Sequence, residues 1–153
     1  MRVTPCVHHH RTAVVGLVVA LVALAACSSS RTGQPTTTQP IVTAPGKLKV
    51  ANASGINGAA GRLSLELAAR GFTLTKATNG FGPDKDLKVT KIYVSKGSEK
   101  VADSVSRLMG GVKVYPMPIP AWIEGGTDAL EGATVLVMLG ADKADKHLSA
   151  MAG

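Results

Sequence analysis

Hydrophobic and polar residues alternate in a regular way over much of the chain after residue 46. Residues 47–51 and 72–77 alternate between polar and apolar side chains, which predicts two strands with one buried face each. Residues 89–94 and 112–115 predict two further strands. The run 133–139 is apolar and rich in β-branched residues, which predicts a fifth strand that is buried on both faces or central in the sheet.

Two helices are predicted between these strands. The first extends from a glycine-rich turn at residues 52–61 to about Arg70, and the second extends from Ser98 to the glycine pair at 110–111. Each has apolar residues at helical spacing on one face. These positions are Ala60, Leu63 and Leu67 in the first helix, and Val101, Val105, Leu108 and Met109 in the second.

The predicted order is β-α-β-β-α-β followed by an extra C-terminal strand. Two β-α-β units that meet in this way indicate an α+β fold of the split β-α-β, ferredoxin-like type. Right-handed crossovers would place both helices on one face of a mixed sheet. The pattern leaves open whether the fifth strand lies at an edge of the sheet or at its centre.

The beginning of the chain has a different pattern. Residues 13–26 are apolar, follow a basic start, and end in Leu24-Ala25-Ala26 directly before Cys27. Residues 1–26 therefore resemble a bacterial lipoprotein signal peptide, in which Cys27 would carry the lipid and become the first mature residue. A transmembrane helix would need about 20 apolar residues, so the run is too short for one. A soluble secreted protein is the remaining alternative.

Composition divides the rest of the chain into three parts. Residues 27–46 are rich in Ser, Thr, Pro and Gly and predict a disordered linker after the lipidated cysteine. The predicted strands and helices form a domain over 47–141. Residues 142–153 are mostly polar and predict a flexible tail.

Charge and residue types exclude several classes of function. The chain carries a net charge of +7, and removal of 1–26 takes away two arginines and no acid, which leaves +5. A modest positive charge suits an anionic cell envelope, whereas the dispersed basic residues and few aromatic rings argue against nucleic acid. Beyond Cys27 the chain has no cysteine, and its one histidine there is His147. Cysteine or histidine catalysis and a zinc site are therefore not expected, and we predict a non-enzyme without metal or cofactor.

The glycine-rich turn is the first candidate binding site. Gly55, Gly58 and Gly61 lie between a strand and a helix, but their spacing does not match the dinucleotide fingerprint. One interpretation is a tight turn with close helix–sheet packing. The other is an anion or sugar site at the start of the helix, with Asn52, Ser54, Gly55 and Gly58 as ligand-binding residues.

Three further groups of residues could carry chemistry. Trp122 is either an exposed contact for a sugar or a protein partner, or a plug over one end of the core. Asp84 and Asp86 could form a carboxylate pair, but the lysines around them favour a solvated loop. Acidic side chains next to a glycine pair could gather a cation, and they are Glu124, Asp128 and Glu131.

Four groups of residues carry a resemblance to a known family. They are V-x-N-x-S-G-x-x-G-x-A from Val50 to Ala60, Leu67 with Gly71 and Phe72, the strand at 92–94, and V-L-V-M-L-G at 135–140. Together they resemble the LytR C-terminal domain of actinobacterial envelope proteins, over residues 47–141. In that family the domain often follows a LytR-CpsA-Psr phosphotransferase, which this sequence lacks.

The resemblance implies an accessory envelope module and transfers no ligand-binding residue. The expected function is that of a non-catalytic lipoprotein on the extracytoplasmic face of the cell membrane, which binds wall glycan or wall-assembly proteins and no nucleic acid. The alternative is a domain that binds a small anionic ligand or phosphate at the Gly55–Gly61 turn.

Overall fold

Within residues 39–152, five strands and two α-helices follow one another in the predicted order. The computed structural model describes residues 39–152. Three short 3₁₀ helices lie in the connections, at Gly82–Asp84, Asp128–Leu130 and Leu148–Ala150. The main elements are β1 (Leu48–Asn52), α1 (Ala59–Ala68), β2 (Thr78–Asn79), β3 (Lys91–Val94), α2 (Glu99–Leu108), β4 (Val114–Pro116) and β5 (Val135–Leu139).

The five strands form one mixed sheet in the order β2-β1-β5-β3-β4. β5 is the central strand: it pairs in parallel with β1 over five residues and antiparallel with β3 over four. This settles the position that the sequence left open. All five residues of Val135–Leu139 are buried, as a strand with neighbours on both edges and layers on both faces requires.

The two β-α-β units lie side by side on either side of β5. β1 pairs directly with β2, and β3 pairs directly with β4, both in parallel. In a split β-α-β arrangement another strand would lie between the two parallel strands of each unit. Here the added fifth strand lies between the units instead, while the α+β class, the element order and the mixed sheet are confirmed.

The second strand begins later than the alternation at 72–77 indicates. The Leu48 amide donates a hydrogen bond to the Thr73 carbonyl oxygen, and the Thr75 amide donates one to the Leu48 carbonyl oxygen. The regular pairing resumes where Ala51 pairs with Thr78. Leu74 is opposite Leu48, so three steps along β1 correspond to four steps along its neighbour. The extra residue acts as a bulge that interrupts the pairing, and β2 is therefore confined to Thr78–Asn79.

The two faces of the sheet are covered in different ways. Both helices pack on one face, as predicted, and share one hydrophobic cluster with alternate residues of β1 and β5. The opposite face is covered by the long connection between β4 and β5. Apolar residues of that connection and of the strands beneath it form the second cluster, which includes Ala51, Tyr93, Ala121, Ile123, Leu130, Leu136 and Met138.

Asp84 fastens the loop before β3 to this second face. Its side chain is only 1% exposed, and its carboxylate accepts hydrogen bonds from Lys91 Nζ at 2.8 Å and from the Tyr93 hydroxyl at 2.5 Å. Burial, together with the bond to Asp84, raises the pKa of Tyr93. The expectation of a solvated loop was wrong for Asp84, because a lysine and a tyrosine from β3 reach it, whereas Asp86 is exposed.

The last residues of the predicted linker lie against the domain. Arg107 of α2 donates hydrogen bonds to the carbonyl oxygens of Gln39 and Pro40, at 2.8 and 3.0 Å. The Val42 amide donates to Ser104 Oγ at 2.9 Å. Residues 39–42 are thus held against the domain, because α2 supplies hydrogen-bond partners for their backbone. The leader, Cys27 and the linker up to residue 38 lie outside the described residues.

The C-terminal residues are packed as well, where the sequence predicts a flexible tail. Ala144, Leu148 and Met151 are buried in the helix-side cluster. Glu66 of α1 accepts a hydrogen bond from the Leu148 amide at 2.5 Å and contacts His147 Nδ1 at 2.6 Å. Burial would raise the pKa of Glu66, but these bonds outweigh it and lower the pKa. This segment has few large apolar residues among its polar ones, so the sequence pattern did not predict the packing.

Among residues 39–152, no helix is both long enough and apolar enough to cross a membrane.

The packing of the C-terminal segment makes a testable prediction. Leu148→Ala removes a buried side chain from the cluster, so we expect it to lower the free energy of unfolding by about 2–4 kcal/mol. Ser149 is exposed, and Ser149→Ala should change that free energy by less than about 0.5 kcal/mol. Urea denaturation measures both variants. Equal stability of the two would contradict the packed arrangement.

Candidate functional site

The hydrogen bonds of Asn52 and Ser54 explain why these residues stand in the first turn. Asn52 Oδ1 accepts hydrogen bonds from the Ser54 amide at 3.1 Å and from the Ser54 hydroxyl at 2.7 Å. Asn52 Nδ2 donates to the Ile56 carbonyl at 2.9 Å, and Ser54 Oγ accepts from the Ile56 amide at 3.1 Å. The two side chains therefore hold the chain as it turns from β1 towards α1.

The glycines of the turn supply backbone conformations that other residues rarely adopt. Gly55 has φ 75° and Gly58, directly before α1, has φ 76°. Both lie in the left-handed region that favours glycine. The tight-turn interpretation thus accounts for Asn52, Ser54, Gly55 and Gly58 together, although Gly58 and Asn52 also border a cleft described below.

Trp122 packs on the second cluster, as the plug interpretation expects, and it also lines a surface groove. Its ring meets that of Tyr93 edge to face, with centroids 5.8 Å apart, and so packs on the second cluster. It also lines a groove of about 470 Å³ together with Phe81, Pro83, Pro120 and Ile123. The lining of this groove is mostly apolar, and the groove is open to solvent.

Phe81 is the groove residue that sequence reasoning missed. It is 63% exposed, and its amide donates to the Trp122 carbonyl at 2.9 Å, which joins the two segments that carry the rings. The pairing of Gly80 with Ile123 supports the same junction. An exposed phenylalanine in a Gly-Pro loop gives no periodic signal, so only its contact with the distant Trp122 segment identifies it.

A polar cleft of about 440 Å³ adjoins the groove. Its charged and amide side chains are Lys49, Asn52, Lys76, Asn79, Glu124 and Glu131. Glu124 borders both cavities and accepts a hydrogen bond from Asn79 Nδ2 at 3.0 Å. One continuous surface therefore combines aromatic rings with groups that can donate or accept hydrogen bonds.

Lys49 is the second functional residue that the sequence did not indicate. It lies on β1 and faces the loop-covered side of the sheet, where it is 2% exposed. Lys49 Nζ donates to Thr75 Oγ1 at 3.1 Å and pairs with Glu131 Oε2 at 3.0 Å. The hydrogen bond from Lys49 lowers the pKa of Glu131. The sequence presents Lys49 as the polar half of an alternating strand, which normally faces solvent.

The acidic residues near the glycine pair do not gather around a common point. Glu124 bonds to Asn79 and Glu131 to Lys49, so two of the three have other partners. Within the part of the chain that the structure describes, no group of three or more His, Cys, Asp or Glu side chains lies close enough to hold a metal ion.

The turn provides a second prediction. Asn52→Ala removes three hydrogen bonds, and because the turn is partly solvated we expect a loss of about 1–2 kcal/mol in the free energy of unfolding. Asn52→Asp keeps the acceptor oxygen and should lose less. Asn57, five residues further on, is exposed, and Asn57→Ala serves as the matched control. Urea denaturation measures all three, and an effect of Asn57→Ala as large as that of Asn52→Ala would contradict this role.

Comparison with known proteins places the chain in a family. No curated protein matches it significantly. One similar solved structure is the soluble domain of a conserved hypothetical secreted protein of Mycobacterium marinum, an Rv2700 ortholog. That match has 21% identity and a TM-score of 0.46, and it covers 67% of this chain and 64% of that one, which is less than two thirds of its length. Another is the C-terminal domain of RV0431, with 26% identity and a TM-score of 0.40 over 88% of this chain and 95% of that one.

The family described as LytR cell envelope-related transcriptional attenuator matches residues 47–142, which is more than half of the chain. This match confirms the resemblance carried by the strand–turn motif and the closing strand. The chain belongs to the LytR C-terminal domain family, a cell-envelope-related family.

Proposed function

We propose that this chain is a lipid-anchored accessory protein of the cell envelope whose domain binds wall glycan at the Phe81–Trp122 groove. The groove is the observation that carries the proposal. Binding sites for small ligands combine apolar or aromatic walls with a few polar groups that fix orientation. Phe81 and Trp122 offer such walls, and Glu124 with Asn79 supplies polar groups at the margin.

Sugar rings suit this surface because they have apolar faces and a rim of hydroxyl groups. An aromatic ring covers the apolar face, while amides and carboxylates bond to the rim. A wall-assembly protein would also find an exposed aromatic residue in Phe81, so a protein partner is an outcome that the experiment must separate from glycan binding.

The proposed role is non-catalytic. The motif side chains Asn52 and Ser54 are engaged in the turn that they form. His147 is exposed on the C-terminal segment and contacts Glu66 on the helix-covered side. This arrangement supports a binding module, and it equally weakens the case for a ligand held by the side chains of the Gly55–Gly61 turn.

The proposed location is the extracytoplasmic face of the cell membrane. The support comes from the apolar run at 13–26, the small residues before Cys27, and membership in a cell-envelope-related family. A single acyl chain binds a membrane only weakly, so we propose that Cys27 carries at least two.

Wall binding is tested by retention of the full chain, solubilised in detergent, on insoluble peptidoglycan. We expect Phe81→Ala to weaken retention about tenfold, which corresponds to the roughly 1.4 kcal/mol that an aromatic contact contributes. Trp122→Ala should weaken it at least as much. Leu65 is an apolar residue on α1 that is 74% exposed, and Leu65→Ala is the control.

Phe81→Ala is the variant that decides whether the groove binds glycan, because this exposed side chain can be removed without opening the core. Unchanged retention of Phe81→Ala would contradict glycan binding at the groove. If that variant keeps its retention but loses a crosslink to an envelope protein in intact cells, the groove is a protein-binding surface.

The anchor is tested with the two cysteines of the chain. In bacterial cells fed a clickable fatty acid, we expect the full chain to be labelled and to sediment with membranes, and Cys27→Ser to lose both properties. Cys6→Ser, within the predicted leader, should keep them. Label on the Cys27→Ser variant, or a mature protein whose mass includes residues before 27, would contradict the lipoprotein proposal.

A further inference from the structure

The geometry points to a second binding site, in the polar cleft, for a ligand that carries a carboxylate: the carboxylate of Glu131 occupies the place that the ligand's carboxylate would take on Lys49. This inference concerns a different cavity from the aromatic groove and does not depend on glycan binding there.

Lys49 is the buried cation among the residues that line the cleft. Its side chain is almost fully buried, yet Lys49 is one of the residues that line the cleft. A buried ammonium group is costly unless it is paired and hydrogen-bonded. A carboxylate on Nζ is therefore needed, but the structure does not require that this carboxylate belong to the protein.

Glu131 is a solvent-exposed partner for so buried a cation. Its side chain is 51% exposed. Among the described residues it is also the one non-glycine residue with positive φ, at 55°, directly before Gly132 at φ 77°. Such a conformation is unfavourable for glutamate and is retained when other interactions compensate. The ion pair with Lys49 is one such interaction, and a carboxylate from outside could release the Glu131 side chain without leaving Lys49 unpaired.

The rest of the cleft suits the body of such a ligand. Lys76 lines it and lies close enough to Glu131 to lower the pKa of that carboxylate further. An entering carboxylate therefore meets two cations, Lys49 and Lys76. Asn79 and Thr78 add polar groups along β2. The volume of about 440 Å³ accommodates a ligand the size of an acidic monosaccharide.

The first experiment asks whether the site beside Lys49 recognises a carboxylate. Glu131→Gly removes the resident group and accepts the left-handed backbone. For the full chain in detergent, we expect 100 mM propionate to raise the melting temperature of this variant by several degrees, and sodium chloride of equal ionic strength to leave it unchanged. Fluorescence of Trp122, the single tryptophan, reports the transition. The double variant with Lys49→Met should show no response to propionate.

The second experiment asks whether a ligand displaces Glu131 in the intact protein. Glucuronate and glucose differ in one carboxylate, and ligand-observed NMR titration gives both dissociation constants. We expect glucuronate to bind at least ten times more tightly than glucose, and Glu131→Gln to bind it more tightly still because the competitor is gone. Lys76→Ala, on the exposed rim, should weaken it without unfolding the domain.

Two results would overturn the inference. One is a response to propionate that is the same with and without Lys49. The other is equal binding of glucuronate and glucose by the unmodified chain, which would make the Lys49–Glu131 pair a purely structural contact. Neither result bears on retention at the Phe81–Trp122 groove, which glycan binding requires.

Discussion

The pairing of β5 with both β1 and β3 is the constraint on which the rest of the structure depends. Each β-α-β unit has a two-stranded parallel ladder of its own, and β5 is the strand that joins the two ladders into one sheet. Its alternating side chains enter both clusters: Val137 packs beneath the helices, and Leu136 beneath the long connection. Because this strand follows the other four described strands along the chain, the two units share a continuous core only when residues 135–139 are in place.

The unequal covering of the two faces explains where the cavities lie. Two helices cover one face of the sheet with apolar stripes. The other face is covered by an irregular connection that contains two prolines and a glycine pair, and such a segment does not cover the sheet as evenly as a helix does. The aromatic groove and the polar cleft both open beside it, at the β2 side of the sheet. Lys49 reaches the cleft because residues alternate along β1, so that its neighbours Leu48 and Val50 face the helices.

Local patterns in the sequence predicted what depends on near neighbours. The amphipathic helices, the family motif and the shared helix-covered face are all confirmed. Such patterns do not predict contacts between residues that are distant in the sequence. An apolar run such as 135–139 fits any strand with two covered faces. The sequence therefore did not determine its position in the sheet, which only the observed pairing with β1 and β3 establishes. The charges of Lys49 and Asp84 suggested solvent, whereas Glu131, 82 residues from Lys49, and Tyr93, nine residues from Asp84, make their burial possible. Likewise, Leu148 and Met151 gain a partner surface only after α1 and α2 have assembled.

The contacts of residues 39–42 with α2 have a mechanical consequence. A pull on the chain from its amino-terminal side acts first on the bonds that Arg107 and Ser104 make to this segment. Tension is thus delivered to a helix surface before it reaches β1. β1 in turn is bonded along both of its edges, so a load along its axis is shared by several hydrogen bonds at once instead of opening them singly. We therefore expect the domain to resist unfolding when force is applied to its leading segment.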